Sequence, residues 1–270
     1  MTGNAVLQPT QERGWLSGYR NLVAKENGHW WKTGQWWTQI LIWAAIVNGM
    51  LAMVMLVAPQ MDAEAEAIAL PEAIEIFFVF VALAPAVGVV LIGQEAIVEE
   101  KQTGTAAWVL SKPVSRSAFI LSKFTADALG ILVTMVLAQG LIAYLILYFA
   151  TGEFLPPAGF AAALALVYLA LLFYLTLTLM LGTLFDSRGP VIGIPLGLVF
   201  GYQLVLGMVP WLVNVMPWNL TIGVGPDKPS LAATIAQGRS LPTLAPVIGT
   251  LALSVLFIVV AIWRFNREEF

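Results

Sequence analysis

Residues 94–123 read QEAIVEEKQTGTAAWVLSKPVSRSAFILSK and separate two long apolar runs. The stretch carries an acidic pair, a Thr-Gly-Thr, a short apolar run with a tryptophan, and a Lys-Pro-Val-Ser-Arg. Glycine permits a tight turn, the residue before a proline disfavours helical geometry, and a serine or threonine side chain can cap a helix. The pattern therefore predicts a short helix of about one and a half turns, with a turn on either side, between two long helices.

Residues 94–123 are called the interspan segment below, and some of its residues have predicted local roles. Thr105 is expected to cap the short helix, and Ser115 to cap the helix that follows. Trp108, Val109 and Leu110 are expected to be partly exposed, so that they can occupy a groove in a partner. The prediction is a short rigid helix lying across the ends of two long ones.

The composition places the chain in a membrane. Of its 270 residues, 59% are hydrophobic and only 11% are charged, and the mean hydropathy is +0.85. A soluble domain of this length would carry roughly a quarter charged residues, so the chain is predicted to cross the membrane several times. The absence of cysteine excludes disulfides, thiolate metal sites and cysteine nucleophiles.

Six apolar runs are long enough to cross the hydrocarbon layer, which takes about 20 residues. Prolines and glycines inside two of them are compatible with a membrane helix when neighbouring helices satisfy the freed backbone groups. We therefore predict an all-α membrane protein with six transmembrane helices. The predicted spans are Trp36–Ala58, Ala73–Val98, Asp127–Ala150, Ala158–Leu184, Val191–Val213 and Leu244–Trp263.

The distribution of lysine and arginine predicts the orientation. With both termini in the cytoplasm, the outer side holds only Lys228 and Arg239 of the 13 basic residues. Positive charge is concentrated on the cytoplasmic side of membrane proteins, so both termini are predicted to be cytoplasmic. The division is then a cytoplasmic N-terminal region (1–35), a six-span domain (36–264) and a cytoplasmic tail (265–270).

The N-terminal region is predicted to contain an interfacial amphipathic helix, of the kind called an elbow helix. Apolar residues from Trp15 to Val23 recur at helical spacing, with polar residues on the other faces. The helix either serves as a simple anchor or moves with the first span. Four tryptophans are predicted to lie at the headgroup level: Trp30, Trp31, Trp36 and Trp37.

The outer loop of residues 214–243 is predicted to contain a short helix. Its sequence SLAATIAQG places Ser230 as the N-cap and Gly238 as the C-terminal stop.

Several kinds of catalytic and cofactor site are missing from the sequence. It contains neither a GxxxxGK[ST] phosphate loop nor an HExxH zinc motif, and a single histidine cannot form a histidine metal cluster. No catalytic, cofactor-binding or metal-binding residue is therefore predicted, and the chain is not expected to be an enzyme or to bind nucleic acid.

The predicted spans are nearly free of charge at their centres. Lys123 and Asp127 lie one helical turn apart and are expected to pair. Asn48, Gln139 and Gln203 each either make an interhelical hydrogen bond, worth about 0.6 kcal/mol, or contact a substrate. The sequence thus shows no ion-coupling site, and energy for uphill transport would come from another subunit.

The interspan segment also carries a family resemblance. Its order and spacing are similar to the E-x-x-x-G-T, several apolar residues, S-x-P-V-S-R-x₆-K pattern of ABC type 2 exporter permeases. The resemblance implies a coupling helix that docks in a cleft of a separate ATP-binding subunit, with ATP and Mg²⁺ on that partner only. The residues to which the resemblance assigns this contact are Glu99, Glu100, Thr103, Gly104, Thr105, Trp108, Leu110, Lys112, Pro113 and Arg116.

Glycines recur at every fourth residue early in the fifth predicted span: Gly189, Gly193, Gly197 and Gly201. Such a stripe lets helix backbones approach closely, and it would serve either a contact between two permease copies or packing inside one bundle. The resemblance favours a homodimer.

The resemblance implies the permease subunit of an ATP-driven ABC exporter in a prokaryotic inner membrane, with two permease copies and two ATP-binding subunits. It also implies that spans 1, 2 and 5 line the pathway. Two alternatives remain: a carrier or channel acting without an ATPase, and a membrane scaffold that does not transport. The sequence does not select a substrate. Residues that either face an apolar substrate or belong to the core and lipid surface are Met50, Met53, Met55, Phe77, Phe78 and Phe80.

Overall fold

The computed structural model describes residues 14–61, 68–224 and 228–268, and the regular structure within them is helical. The first 13 residues of the predicted N-terminal region and residues 269–270 of the predicted tail lie outside this part. In chain order the helices are α1 (Tyr19–Lys32), α2 (Gln35–Met61), α3 (Leu70–Gln102), α4 (Thr105–Leu110), α5 (Arg116–Thr151), α6 (Pro157–Leu184), α7 (Arg188–Phe200), α8 (Tyr202–Met208), α9 (Trp218–Thr221), α10 (Leu231–Ala236) and α11 (Ala245–Phe265).

Five described helices, α2, α3, α5, α6 and α11, are long and apolar enough to cross a membrane. The predicted all-α membrane fold is therefore confirmed. The most apolar 18-residue window is 72% buried in α6, against 22% in both α2 and α11. Its high burial therefore identifies α6 as the centre of the bundle, where it packs against α3, α10 and α11.

The predicted fifth span is not one continuous helix. The chain bends by 72° between α7 and α8, because Gly201 adopts φ −89° and ψ 7° and leaves the α-helical conformation. A 3₁₀ helix, Pro210–Asn214, follows. The 13 residues of α7 rise only about 20 Å, which is too short to cross alone. The described chain thus has five spanning helices, or six if the bent pair crosses as one broken span.

The loop before α11 is attached to the bundle through Glu75 of α3. This carboxylate accepts hydrogen bonds from the backbone N–H of Gly223 at 2.7 Å and from the Ser230 hydroxyl at 2.8 Å. Ser230 also caps α10 as predicted, accepting from the Ala233 N–H at 3.2 Å. Gly238 follows α10 with φ +76°, the left-handed conformation expected of a glycine stop.

Helix α1 packs along α5 and begins at Tyr19, so Trp15 precedes the helix. Trp30 is 1% exposed and lies against Gly130, where an added Cβ would overlap its indole ring. The Trp30 ring is therefore covered by protein instead of facing the lipid headgroups, because a glycine on α5 leaves room for it inside the bundle. Trp36 and Trp37 are exposed.

Candidate functional site

A glycine turn separates α3 from the short helix α4. Gly104 has φ +74°, and its N–H donates to the Lys101 carbonyl at 3.2 Å. Gly104 itself occupies the N-cap position, and no side chain caps α4. The prediction that Thr105 is the cap was wrong: Thr105 is the first residue of the helix, and its hydroxyl shares a 3.0 Å hydrogen bond with that of Thr103.

Helix α4 has one face on the bundle and one face outward. Ala106 and Val109 are 0% and 6% exposed, whereas Trp108 is 65% exposed. Leu110 is half-buried. The expected exposure of Trp108 and Leu110 is confirmed and that of Val109 was wrong, because residues three apart in a helix share the same face. The short helix is thus seated by small and branched side chains and presents its tryptophan outward.

The turn after α4 adds a positive charge to the same outward surface. Lys112 and Pro113 are exposed, and the Lys112 ammonium lies 4.9 Å from the centre of the Trp108 ring, in cation–π geometry. Ser115 caps α5 as predicted, accepting from the Ala118 N–H at 3.1 Å. The exposed residues Thr103, Gly104, Trp108, Lys112 and Pro113 are called the outward face below.

The two adjacent acidic residues near the end of α3, Glu99 and Glu100, lie in different environments. Glu99 is half exposed, and its carboxylate lies 3.6 Å from Arg188 at the start of α7. Glu100 points to the interior, where its carboxylate lies 2.9 Å from Lys123 and 3.5 Å from Lys25. Only Glu99 of the pair is therefore available on the surface to a partner.

Lys123 is 2% exposed and lies between two carboxylates, Glu100 at 2.9 Å and Glu26 at 3.5 Å. Asp127 instead accepts a 3.0 Å hydrogen bond from the Trp30 indole. The predicted pairing of Lys123 with Asp127 was wrong, because α1 packs on this face of α5 and supplies competing partners for both.

Lys25 of α1 lies 3.2 Å from Glu26 and 3.5 Å from Glu100. Burial alone would lower its pKa, but the two carboxylates outweigh this and the pKa of Lys25 is raised.

The residues before α1 are bonded to the interspan segment. The Ser17 hydroxyl donates to the Pro113 carbonyl at 3.0 Å, and the Ser17 carbonyl accepts from the Ser115 N–H at 3.0 Å. The Ser115 hydroxyl donates to the Trp15 carbonyl at 2.6 Å. Hydrogen bonds from the residues before α1 therefore hold the turn between α4 and α5 in place.

The far side of the interspan segment is attached to the end of α11 and to the α6–α7 connection. Lys101 lies 2.6 Å from both Asp186 and Glu268, and Arg116 donates to the Asn266 carbonyl at 2.8 Å. The hydrogen bond and charge of Lys101 lower the pKa of Asp186. Together these contacts fix the interspan segment from two opposite sides.

Comparison with known proteins assigns the family. The model of the ABC-2 family transporter protein matches residues 44–270. The chain belongs to the ABC-2 transporter family. No curated protein matches the chain. As an ABC-2 transporter protein it is a multi-pass membrane component of an ABC transporter, and the family implies an ATP-binding partner subunit.

The match to the ABC-2 family begins inside α2, so α1 lies outside the matched range. Sequence reasoning missed the contribution of α1 to the interspan segment, through Lys25, Glu26 and Trp30, and that of Glu268 near the other end of the chain. The unusual density of ionisable residues on α1 was the available signal, but spacing within one helix does not reveal a partner that is distant in sequence.

The glycine stripe of this ABC-2 protein faces away from its own bundle. Gly189, Gly193 and Gly197 are exposed, and no described residue outside their own helix lies within 4 Å of the position a Cβ would occupy. At Gly201 the nearest atom is the Gly197 carbonyl of the same helix. The alternative that the stripe packs inside the bundle therefore fails for the described residues.

An apolar cavity of about 460 Å³ lies between α2, α3 and α7, the helices of predicted spans 1, 2 and 5. Trp43, Phe80 and Phe200 are among its lining residues. Phe77 and Phe78 do not line it, because both are buried in the core beside Phe160.

The two buried amides of predicted spans 1 and 3 bond to each other. The Asn48 side-chain amide donates to the Gln139 side-chain oxygen at 2.8 Å, and both residues are buried. Gln203 is exposed and donates to the neighbouring Tyr202 hydroxyl at 3.1 Å. The interhelical hydrogen bond is thus confirmed for the first two residues and wrong for Gln203.

Proposed function

We propose that this chain is the permease subunit of an ATP-driven exporter, in which a separate nucleotide-binding subunit binds ATP and Mg²⁺. In this proposal, the permease lies in a prokaryotic inner membrane with both termini in the cytoplasm. The family match supports the membrane role, and the lysine and arginine distribution supports the orientation.

The observation that carries this proposal is that α4 has one buried face and one exposed face. Its inner face is buried through Ala106 and Val109, while Trp108 remains exposed beside Lys112. Tryptophan is among the residues that most often anchor a protein interface, where a partner buries the exposed ring. A partner that grips Trp108 would move a rigid unit, since the interspan segment is bonded to α1, α5 and the end of α11.

The partner in this proposal is a pair of ATP-binding subunits, each contacting the outward face of one permease. Closure of the pair on ATP would push the two α4 helices, and the ion pairs at Glu100 and Lys101 would transmit that displacement to α5 and α11. The spans would then change their tilt around a pathway between two permease copies.

Two features support a homodimer formed through α7 and α8. The glycine stripe is exposed and open, which allows a second helix to approach closely. Large apolar side chains next to it are also strongly exposed, with Phe200, Leu204 and Met208 at 66%, 76% and 83%. The apolar cavity between α2, α3 and α7 lies beside this surface and supports the assignment of those helices to the pathway.

The test is the affinity of the purified permease, in nanodiscs, for its ATP-binding subunit. Trp108→Ala should weaken binding roughly thirtyfold, because loss of a central tryptophan anchor costs about 2 kcal/mol or more. The ATPase activity stimulated by the permease and the transport rate should fall with it. Trp263→Ala is the matched control, since Trp263 is 51% exposed and also carries a cation, Arg267, over its ring at 4.3 Å.

Equal affinity for wild-type and Trp108→Ala permease would contradict the proposed docking face. The remaining alternatives have separate readouts. Transport by the chain alone in liposomes, without an ATPase, would identify a carrier or channel. Binding of an ATPase with no transport of any cargo in the reconstituted complex would identify a scaffold.

A further inference from the structure

A second cavity, polar and about 450 Å³ in volume, lies where α1, α3 and α5 meet behind the outward face. Five acidic side chains and two lysines line it. It is called the acidic cavity here. It shares Thr103 with the outward face and Glu100 with the ion pairs described above, but the docking proposal assigns no ligand to it.

The two lysines of the acidic cavity are already engaged. Lys25 and Lys123 each lie within 3.5 Å of both Glu26 and Glu100. The lining residue Glu99 pairs with Arg188. Asp127 and Glu95 complete the acidic set, and neither forms an ion pair with a described residue. The cavity therefore keeps an excess of negative charge after its internal pairs are formed.

Asp127 provides an independent sign of a ligand. The residue is 8% exposed, and its Oδ1 accepts from the Trp30 indole. Its Oδ2 is buried and accepts no hydrogen bond from the described protein, and the same holds for the Gln35 Oε1 atom. A buried carboxylate oxygen without a donor is costly, and both atoms belong to residues that line the same cavity.

A group with hydrogen-bond donors would satisfy these two oxygens, and a positive charge on it would complement the excess negative charge of the cavity. Within the described ranges, no group of three or more His, Cys, Asp or Glu side chains is arranged to hold a metal ion. A primary ammonium group has three N–H donors and one charge, which matches Asp127, Gln35 and Glu95 as acceptors. We propose that the acidic cavity binds a primary ammonium group, either of a soluble amine or of an aminophospholipid headgroup.

The proposal is tested by thermal unfolding of the full-length permease in detergent. Saturating ethanolamine hydrochloride should raise the Tm by about 3 °C over tetramethylammonium chloride at equal ionic strength, because the latter has the charge but no N–H donor. Asp127→Asn keeps the side-chain shape and should abolish the difference, whereas the control Glu153→Gln, exposed in the loop after α5, should retain it. Where Asp127→Asn fails to fold, Glu95→Gln should reduce the difference and serves in its place.

The source of the ammonium group is separated in nanodiscs. A higher Tm in phosphatidylethanolamine than in phosphatidylcholine, lost in Asp127→Asn, would assign the cavity to a lipid headgroup. A response to free ethanolamine without a lipid difference would assign it to a soluble amine. Equal shifts with both chlorides together with no lipid difference, or the same shifts in Asp127→Asn, would overturn the proposal. Because no ATPase is present, this result is independent of the docking test.

Discussion

The Lys123 ammonium lies 2.9 Å from the Glu100 carboxylate, and this contact joins the helix that enters the interspan segment to the helix that leaves it. Glu26 of α1 lies on the other side of the same ammonium, at 3.5 Å. The ion pairs of Lys123 with Glu100 and Glu26, called the frame here, therefore connect the helices on both sides of α4. A displacement of Trp108 would move α3 and α5 together.

Removing the central cation should open this frame. Lys123→Met removes the more buried of the two lysines that lie between Glu26 and Glu100 and leaves them only Lys25. Loss of one member of a buried ion pair costs about 3 kcal/mol or more. The measurement is the free energy of unfolding of the purified chain. Lys32→Met, at an exposed position at the end of α1, should change it by less than about 0.5 kcal/mol. Equal losses in both variants would argue against the frame.

Two glycines with the same backbone conformation allow the effect of backbone strain on stability to be separated from an effect on coupling to the ATP-binding subunit. Gly104 and Gly152 have φ +74° and +75°, and neither has an atom within 4 Å of a built Cβ. Alanine at either position should cost about 1 kcal/mol of stability, because left-handed backbone is disfavoured for residues with a Cβ. Only Gly104→Ala should also reduce the permease-stimulated ATPase rate, and an equal reduction in Gly152→Ala would show a general effect of stability.

The buried Asn48–Gln139 hydrogen bond connects the first and third predicted spans. A double-mutant cycle with Asn48→Ala and Gln139→Ala should give a coupling energy of about 0.6 to 1.7 kcal/mol, the range found for such bonds inside membranes. Strict additivity of the two single losses in thermal unfolding would mean that the bond contributes nothing to stability.

The glycine stripe should crosslink in a dimer. The chain has no native cysteine, so single cysteines at Gly189, Gly193 and Gly197 report only on their own contacts. We expect oxidised dimers on denaturing gels from at least one of these positions, because a close helix crossing places the Cβ atoms within disulfide reach. Gly207→Cys, equally open but on α8 beyond the bend at Gly201, probes the other half of the proposed interface, and crosslinking at Gly207 alone would move the contact away from the stripe.

Acidification should weaken the attachment of the α6–α7 connection to Lys101. The folded-state pKa of Asp186 is lowered below the ordinary value near 4, so its stabilising effect is complete above that value. The effect disappears as the pH falls through the lowered folded-state pKa. The Asp186 side chain is largely exposed, so the contribution should stay below about 1 kcal/mol and decline with salt. Asp186→Asn should be less stable than wild type at pH 7 and equally stable below the lowered pKa, as measured by thermal unfolding.

Local chemistry made several features predictable. Apolar length predicted the long helices, Ser115 and Ser230 predicted two helix starts, and Gly104 predicted the turn before α4. These outcomes depend on residues within a few positions of one another, where backbone conformation and capping hydrogen bonds act. The break at Gly201 was missed because a glycine inside an apolar run is compatible with a continuous membrane helix.

The amino-acid sequence by itself determined the class of this protein, the position of the short helix α4 and the residues at its turns, because these depend on hydrophobic length, backbone conformation and local capping. Only the tertiary structure decided the partners of Lys123, Asp127 and Lys101. Each has several chemically suitable partners along the chain, and the packing of α1 and the end of α11 determines which of them come within hydrogen-bonding distance. The acidic cavity exists for the same reason, since its lining residues come from helices that meet only in the folded bundle.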